Sequence, residues 1–303
     1  MRGRARAART VAQAKINLFL HVLARESSGY HTLETLFQRI DLGDDVVVRT
    51  DVSGRSLDCR GAELGPVEHN LAWRAADAFA REAGWPDGFA IEIEKRIPVG
   101  GGLGGGSADA GAVLRVLNAL APTPLPSPRL LQVAVGLGAD VPFLASDAVR
   151  ALGWGRGERL LALPPLPARE VGLFIPDVGV STADAFRWLA EARGDVGPVA
   201  RQLDLASLGD WGAIAAIATN DFERAVADHL PGVAWPAGYR DRLKGAQEPG
   251  DAPPSIVMMT GSGSTWFLIS ADESDASYAA PPERWRIVPT RTATRVAPIE
   301  PIA

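Results

Sequence analysis

The sequence predicts a protein of two domains that mixes β-strands with α-helices. Its 303 residues suffice for two domains of ordinary size, and a composition of 47% hydrophobic and 22% charged residues is typical of a globular chain. A proline-rich stretch at residues 163–168 predicts a linker, which places the domains at residues 1–165 and 166–303. In the first half a strand, a glycine-rich loop and a helix follow one another directly, and this succession indicates the function.

The first half alternates strands and helices. Strands are predicted around Lys15 and at residues 44–50, with residues 29–39 lying between them. Residues 89–95 alternate apolar and polar side chains, which predicts a half-buried strand. Helical spacing covers residues 70–83 and 129–137, each run followed by glycine. A further helix carries apolar residues at 110, 113, 114 and 117; Ser107 or Asp109 can start it and Pro122 ends it.

Fewer elements are predicted from residue 148 onward. Residues 148–162 predict a hairpin before the linker, and residues 171–175 and 255–260 predict strands. A helix capped near Ser181 follows the first of these strands, and a small glycine turn at residues 261–264 follows the second. We expect the last ten residues to form loops or to be frayed, because they are rich in proline and charge.

The glycine-rich loop reads PVGGGLGGGS at residues 98–107, with six glycines among ten residues. Glycine loses more conformational entropy on folding than any other residue, so such a run indicates positive φ angles or close approach of a ligand. A helix start presents free N–H groups with partial positive charge. The order strand, glycine loop, helix therefore predicts a site for phosphate groups.

Three other interpretations of this loop are disfavoured. The Walker motif requires a lysine that is absent here. A dinucleotide-binding fold requires an almost wholly apolar first strand and an acid about 20 residues after the loop. The strand instead carries Glu92 and Glu94, and the later segment 121–126 contains no acid. A flexible linker does not normally join a strand directly to a helix.

Composition and charge argue against several classes of function. A net charge of −5 and a pI near 5.5 argue against a nucleic-acid surface. The single cysteine, Cys59, cannot form an internal disulfide, which favours a reducing compartment and a cytoplasmic location. No run of eighteen apolar residues occurs, so we expect no membrane partner.

Two charged residues stand out by their context. Lysine occurs only at Lys15, Lys95 and Lys244 among 31 basic residues. Lys15 interrupts an apolar strand, where it either reaches a phosphate oxygen as a compact point charge or extends to water. Asp140 follows a predicted helix end and precedes a proline, so the scaffold holds its carboxylate there or it is an ordinary solvated loop residue.

Taken together, these segments resemble the GHMP kinase superfamily. Residues 98–107 match its central pattern Pro-x-Gly-x-Gly-Leu-Gly-[Gly/Ser]-[Gly/Ser]-[Ser/Ala] at every position. Residues 14–22, 28–38, 138–143, 220–223 and 260–264 resemble one branch of it, whose acceptor is a cytidine diphosphate-linked methylerythritol of the non-mevalonate isoprenoid pathway. The resemblance covers the chain from about residue 11 to residue 270.

This resemblance implies an α+β, two-domain GHMP kinase fold. The N-terminal domain would be like domain 2 of ribosomal protein S5, the C-terminal domain would be ferredoxin-like, and the active site would lie in the cleft between them. The implied cofactors are ATP and Mg²⁺, and the implied reaction moves the γ-phosphoryl group to the 2-hydroxyl of the acceptor. Such a reaction depends mainly on positioning and on stabilisation of charge.

The resemblance also implies roles for residues. Asp140 would accept or orient the proton of the attacking hydroxyl, and Lys15 would stabilise charge at the transferring group and keep Asp140 ionised. The acceptor would be contacted by Tyr30 and Phe186 on the two faces of the cytosine, by His31 at the base edge, and by Asn17 and Thr182 at the polar end. Asn70 and Leu71 would lie near the adenine, Ser107 near the metal, and the ATP phosphates would be wrapped by Pro98, Gly100, Gly101, Gly102, Leu103, Gly104, Gly105, Gly106 and Ser107.

Two alternatives stay open at this level. One is another small-molecule kinase of the same fold, of the mevalonate or homoserine type, which needs no recognition of cytosine. The other is a nucleotide-binding protein without activity, which the presence of both Lys15 and Asp140 disfavours. In each case the expected partners are ATP and a small molecule, with the chain a monomer or a homodimer.

Overall fold

The computed structural model describes residues 6–25, 31–62, 65–193, 203–235, 256–270 and 284–302. Within these ranges the chain forms two sheets, each covered by helices, which confirms the α+β class. None of the helices in these ranges is long and apolar enough to cross a membrane.

The larger sheet contains seven strands of the described chain. Its main path runs in the order β11, β1, β2, β4, β3, and β5 pairs with both β2 and β6. All its pairs are antiparallel except β3 with β4. The strands are β1 (Ala7–Arg25), β2 (His31–Arg49), β3 (Arg55–Arg60), β4 (Phe89–Glu94), β5 (Arg150–Gly155), β6 (Arg159–Leu163) and β11 (Glu300–Ile302).

Four helices pack in the region of the larger sheet: α1 (Leu71–Ala83), α2 (Gly105–Leu120), α3 (Ser127–Val135) and α4 (Val141–Ala145). Helix α2 is central because it contacts α1, α4, β1 and β2. It packs closely on α4: a Cβ atom on Gly111 would lie only 2.8 Å from the backbone nitrogen of Ala145. Burial of α2 on several faces explains its run of alanine and glycine, since larger side chains would keep its neighbours away.

The smaller sheet is antiparallel and has the strand order β10, β7, β9, β8. Its strands are β7 (Glu170–Pro176), β8 (Ile256–Met259), β9 (Trp266–Ile269) and β10 (Trp285–Arg291). The second half of the chain also contains helices α5 (Thr182–Arg193), α6 (Trp211–Ile217) and α7 (Phe222–His229). Short 3-10 turns lie at Val67–His69 in the first half and at Leu205–Leu208 and Pro231–Val233 in the second. A second apolar cluster joins α5 and α7 to this sheet through Phe174, Ala185 and Val226.

Two sequence predictions about strands are wrong. Residues 31–39 do not lie between two strands, because β2 continues through them: Leu33–Gln38 pair with β5, and Asp45–Arg49 pair with β4. The chain end is not simply a loop either, since Ile302 pairs with Ala7 of β1. In both cases the partner strand is remote in sequence, so local patterning does not reveal the pairing. The boundary near residue 165 stays a prediction.

Candidate active site

The glycine-rich loop connects the end of β4 to the start of α2 in a backbone form that requires glycine. Gly100, Gly102 and Gly104 have φ angles of +75°, +76° and +73°. Side chains with a Cβ rarely adopt such angles. Together with Lys95 and Ile97, residues 98–106 line a pocket. The loop is thus a concave surface built largely from main chain.

Helix α2 opens towards this loop without a side-chain cap. It begins at Gly105 and is capped by Gly104, so the prediction that Ser107 or Asp109 starts it is wrong. The backbone N–H of Ala108 is the first to bond back, to the carbonyl oxygen of Gly104 at 2.8 Å. The preceding N–H groups have no partner within the helix, and its first turn contains no acid. An anion at this end would therefore meet free donors and the positive end of the helix dipole.

Lys15 and Asp140 meet at the start of α2. The Nζ atom of Lys15 lies 3.4 Å from Oδ2 of Asp140, and their side chains are 3% and 29% exposed. The backbone N–H of Lys15 donates to the carbonyl of Leu103 at 3.1 Å. A Cβ atom on Gly104 would lie 3.1 Å from Cε of Lys15 and 3.5 Å from the carboxylate of Asp140. Lys15 therefore does not extend into water, and the two charges stand beside the loop.

Asn17 holds the Lys15 ammonium in place. Its Oδ1 accepts a hydrogen bond from Nζ of Lys15 at 2.7 Å and another from the backbone N–H of Gly261 at 3.0 Å. Its Nδ2 donates to Oγ1 of Thr35 at 2.8 Å. The β1–β2 register shifts on both sides of the Lys15–Asn17 segment, and such bulges redirect side chains near functional sites. The buried amide of Asn17 thus orients Lys15, and its contact with substrate stays a prediction.

The glycine turn after β8 packs directly on the glycine-rich loop. A Cβ atom on Gly102 would collide with the carbonyl oxygen of Thr260 and lie 2.9 Å from that of Gly263. The backbone N–H of Thr265 donates to the carbonyl of Gly101 at 3.2 Å. The turn therefore fixes one wall of the loop.

The other described residues expected to contact the acceptor come from two elements, β2 and α5. The rings of His31 on β2 and Phe186 on α5 stack, with centroids 4.5 Å apart and an interplanar angle of 17°. The Oγ1 atom of Thr182, at the start of α5, lies 3.1 Å from Oγ of Ser262 in the second glycine turn. Tyr30 lies outside the described residues. The structure thus brings His31 and Phe186 together, and their roles in binding stay predictions.

The residues expected near the adenine lie at the start of α1. The side chain of Asn70 caps this helix by accepting a hydrogen bond from the N–H of Ala72 at 2.8 Å. A Cβ atom on Gly106 would lie 3.6 Å from Cδ1 of Leu71. Leu71 is therefore a neighbour of the glycine-rich loop, and Asn70 directly precedes Leu71 in the chain.

A buried ion cluster under the loop was not found by the sequence analysis. The Nζ atom of Lys95 lies 2.5 Å from Oδ2 of Asp44 and 2.7 Å from Oδ2 of Asp109, and all three side chains are at most 4% exposed. Asp44 also accepts from the N–H groups of Arg96 and Ile97. The cluster ties β2 to the end of β4 and the first turns of α2. The scarcity of lysine that drew attention to Lys15 applied equally to Lys95.

Asp109 is the weakly satisfied member of this cluster. Its Oδ1 is buried and has no hydrogen-bond partner. Burial raises the pKa of Asp109 to about 7; Lys95 acts against this shift, and the nearby Asp44 carboxylate adds to it. Burial alone would lower the pKa of Lys95, but Asp109 and Asp44 outweigh it and raise that pKa.

We expect Asp109→Asn to remove part of the pH dependence of stability. The folded protein keeps a proton on Asp109 up to about pH 7, whereas the unfolded chain releases it near pH 4. The unfolded state therefore binds fewer protons between these values, and the wild type loses stability as the pH rises through this window. The free energy of unfolding is measured by urea denaturation at pH 4.5 to 8 for the wild type, for Asp109→Asn and for the control variant Asp58→Asn, in which the replaced carboxylate is exposed. Parallel curves for wild type and Asp109→Asn would contradict the proposed proton.

Comparison with known proteins identifies the class of protein to which the chain belongs. Residues 70–147 match the family model of the GHMP kinases N terminal domain. The crystal structure of homoserine kinase from Cytophaga hutchinsonii superposes with a TM-score of 0.63 at 17% identity, covering 99% of each chain, and so shares the fold. Fold and glycine-rich loop thus place the protein among the GHMP kinases.

More similar relatives define the family. The 4-diphosphocytidyl-2-C-methyl-D-erythritol kinase of Geobacter sp. (strain M21) is 38% identical over 273 residues, covering 89% of this chain and 92% of the relative. The kinase of the same name from Desulfotalea psychrophila is 39% identical over 263 residues, covering 84% and 83%. A crystal structure of 4-(cytidine 5'-diphospho)-2C-methyl-D-erythritol kinase superposes with a TM-score of 0.68 at 33% identity, covering 94% of this chain and 99% of that one. The chain belongs to the 4-diphosphocytidyl-2-C-methyl-D-erythritol kinase family.

Proposed function

We propose that the protein is an ATP-dependent kinase that phosphorylates the 2-hydroxyl of 4-diphosphocytidyl-2-C-methyl-D-erythritol in the non-mevalonate isoprenoid pathway. Family membership supports the substrate. The observation that supports the chemistry is the contact between Lys15 and Asp140 beside the open start of α2. A base, a cation and free N–H donors are the groups that phosphoryl transfer to an alcohol needs.

The proposed roles follow from the positions of these groups. Asp140 takes the proton of the acceptor hydroxyl. The hydroxyl oxygen bonds to the γ-phosphorus as the bond from this phosphorus to ADP breaks and ADP leaves. Lys15 balances the charge that gathers on the transferred group, and Asn17 keeps the ammonium in line. The N–H groups at the start of α2 bind phosphate oxygens. Because these donors are already oriented, little reorganisation is needed during the reaction.

We propose Mg²⁺ as the metal, held mainly by the nucleotide. Mg²⁺ keeps several waters and usually takes one or two protein oxygens together with substrate phosphates. No cluster of three His, Cys, Asp or Glu side chains suited to a metal occurs among the described residues, which fits such a site. The hydroxyl of Ser107, in the first turn of α2, is the protein oxygen that we assign to it. The ion would neutralise charge on the phosphates.

For the acceptor we propose that Tyr30 and Phe186 stack on the two faces of the cytosine and that His31 binds the base edge. In support, His31 and Phe186 lie together, with stacked rings, and the Phe186 ring is also contacted edge-on by Phe222 at 4.9 Å. Aromatic stacking on a base is worth about 1–3 kcal/mol.

We expect Phe186→Ala to raise the KM for the cytidyl substrate about 10- to 100-fold, because that stacking free energy is lost, while the KM for ATP stays within about twofold. Steady-state kinetics with each substrate varied in turn measures both. Trp188→Ala is the matched control, since Trp188 lies on the same helix and stacks on His229 at 4.9 Å. Equal rises in the two KM values would show that Phe186 only supports the fold.

The function is tested by supplying alternative acceptors. Purified protein with ATP and Mg²⁺ is given 4-diphosphocytidyl-2-C-methyl-D-erythritol, mevalonate or homoserine, and release of ADP is followed. We expect release with the cytidyl compound alone. Release with another acceptor would retain the fold and the ATP site but refute the cytosine contacts, and no release with any acceptor would favour a binding protein without activity.

We propose that the protein is located in the cytoplasm. A cytoplasmic protein is consistent with the lone half-buried Cys59 and with water-borne substrates. We further propose that it acts without nucleic acid or membrane partners, as a monomer or a homodimer.

A further inference from the structure

Arg39 is a buried arginine whose side chain is bound wholly by backbone carbonyls around α4. It lies on β2 and is 2% exposed. Its Nε donates to the carbonyl of Ala148 at 2.9 Å. Its Nη2 lies at 2.9 Å from the carbonyl of Phe143, and at 3.0 Å from those of Leu144 and Ser146. The guanidinium also lies over the Phe143 ring, 5.0 Å from its centroid.

Two of these carbonyls, those of Phe143 and Leu144, belong to α4, and the other two, those of Ser146 and Ala148, follow its end. Helix α4 runs from Val141 to Ala145, and Asp140 is its N-cap residue. The last carbonyls of a helix have no partner within it and carry partial negative charge, which a cation at that end offsets. A helix of five residues is not stable alone, because nucleation is costly and few bonds repay it. The position of α4 therefore depends on contacts from outside the helix.

Helix α2 and Arg39 both contact α4. Helix α2 approaches it so closely at Gly111 that a Cβ atom there would meet the backbone at Ala145. Arg39 binds it from the sheet. Arg39 is also the register partner of Lys15 on β1, and residues opposite each other on neighbouring strands point to the same face. One strand pair thus carries Lys15 directly and holds Asp140 through Arg39 and α4.

We propose that Arg39 is a positioning residue for phosphoryl transfer: by clamping the end of α4 to β2, it sets the place of the Asp140 carboxylate relative to Lys15. The inference rests on the proposed function, in which Asp140 is the base. It goes beyond that function because the hydrogen bonds of the Arg39 guanidinium among the described residues go to backbone carbonyls and not to the side chains of Lys15 or Asp140, so that Arg39 would act on Asp140 through the helix.

The test is Arg39→Lys, assayed with both substrates below its melting temperature. One ammonium cannot span four carbonyls as a planar guanidinium does. A displacement of about 1 Å in a reacting group costs up to about 100-fold in rate. We expect kcat to fall at least about 10-fold while the KM for ATP stays within about twofold.

Arg150→Lys is the matched control. Arg150 is equally buried on β5 and donates to two backbone carbonyls, those of Leu208 at 2.8 Å and Pro164 at 2.9 Å, neither of which belongs to α4. We expect it to lower the melting temperature while kcat stays within about twofold of the wild type. Equal losses of kcat in the two variants, or an unchanged kcat in Arg39→Lys, would overturn the inference.

A double-mutant cycle separates this inference from the proposed function. If Arg39 acts through Asp140, adding Arg39→Lys to Asp140→Asn lowers residual turnover by no more than about twofold. A full additional loss would overturn the positioning role and leave the base intact. If Asp140→Asn alone retains turnover, the base assignment is wrong and the role of Arg39 falls with it.

A second variant keeps the test valid if Arg39→Lys does not fold. The Ser146 hydroxyl donates to the same Phe143 carbonyl that Arg39 binds, at 2.7 Å. Ser146→Ala removes this hydroxyl but keeps the Ser146 carbonyl that Arg39 binds, so it loosens the helix end while Arg39 stays in place, and we expect kcat to fall about two- to threefold with both KM values unchanged. An unchanged kcat in this variant would count against the clamp.

Discussion

Asp140→Asn should abolish most turnover while leaving ATP binding intact. An amide of the same shape keeps the N-cap position before α4 but cannot take up the proton of the acceptor hydroxyl. General-base catalysis typically contributes about 100- to 10,000-fold, so we expect kcat to fall by that factor. The dissociation constant of ATP, measured by calorimetry, should stay within about twofold because the loop that we propose for the phosphates is unchanged.

Asp147→Asn is the control for this experiment. Asp147 lies just beyond the other end of α4, and its side chain is 94% exposed. The same chemical change there should leave kcat and the dissociation constant unaltered. Turnover of Asp140→Asn within about tenfold of the wild type would remove Asp140 from the role of base.

Gly102→Ala should destroy ATP binding by deforming the glycine-rich loop. The residue has a φ of +76°, and a Cβ atom there would collide with the carbonyl oxygen of Thr260 in the second glycine turn. A backbone oxygen cannot move aside as the end of a side chain can, so loop and turn must separate. We expect the KM for ATP to rise at least about 100-fold, since the phosphate donors lose their arrangement.

Gly100→Ala separates the two causes of this effect. Its φ of +75° imposes the same backbone strain, but nothing lies within 4 Å of the added Cβ. Strain of this kind costs about 1–2 kcal/mol, so an intermediate rise in KM is expected. Gly136→Ala, with ordinary φ and its nearest neighbour at 3.6 Å, should behave as the wild type. An unchanged KM in Gly102→Ala would show that the loop does not hold the nucleotide.

The geometry of the glycine-rich loop was largely predictable from sequence. Strand, glycine loop and helix are consecutive in the chain, and the loop has a backbone conformation that the glycines permit. The alternation at β4 predicted the inward Ile91 and Ile93 and the outward Glu92 and Glu94. Only the start of α2 was misplaced, because a glycine rather than a polar side chain caps it.

The arrangement of charges was less predictable. The resemblance pointed to Lys15 and Asp140, but only the fold shows their 3.4 Å contact and the role of Asn17 between Lys15 and the second glycine turn. The contacts of Lys95, Asp109 and Arg39 are likewise visible only in the fold. The side chains of these three residues are buried, and the groups that bind them lie on other elements of the fold.

The sequence by itself determined the order of strand, glycine-rich loop and helix and the mixture of strands and helices, because these depend on residue type and local spacing. Only the tertiary structure decided that β2 continues through residues 31–39, that Asp44, Lys95 and Asp109 share one buried cluster, and that Arg39 holds the helix after Asp140. The physical reason is that a buried charge must find its partner in space, and strand pairing and helix packing set that partner.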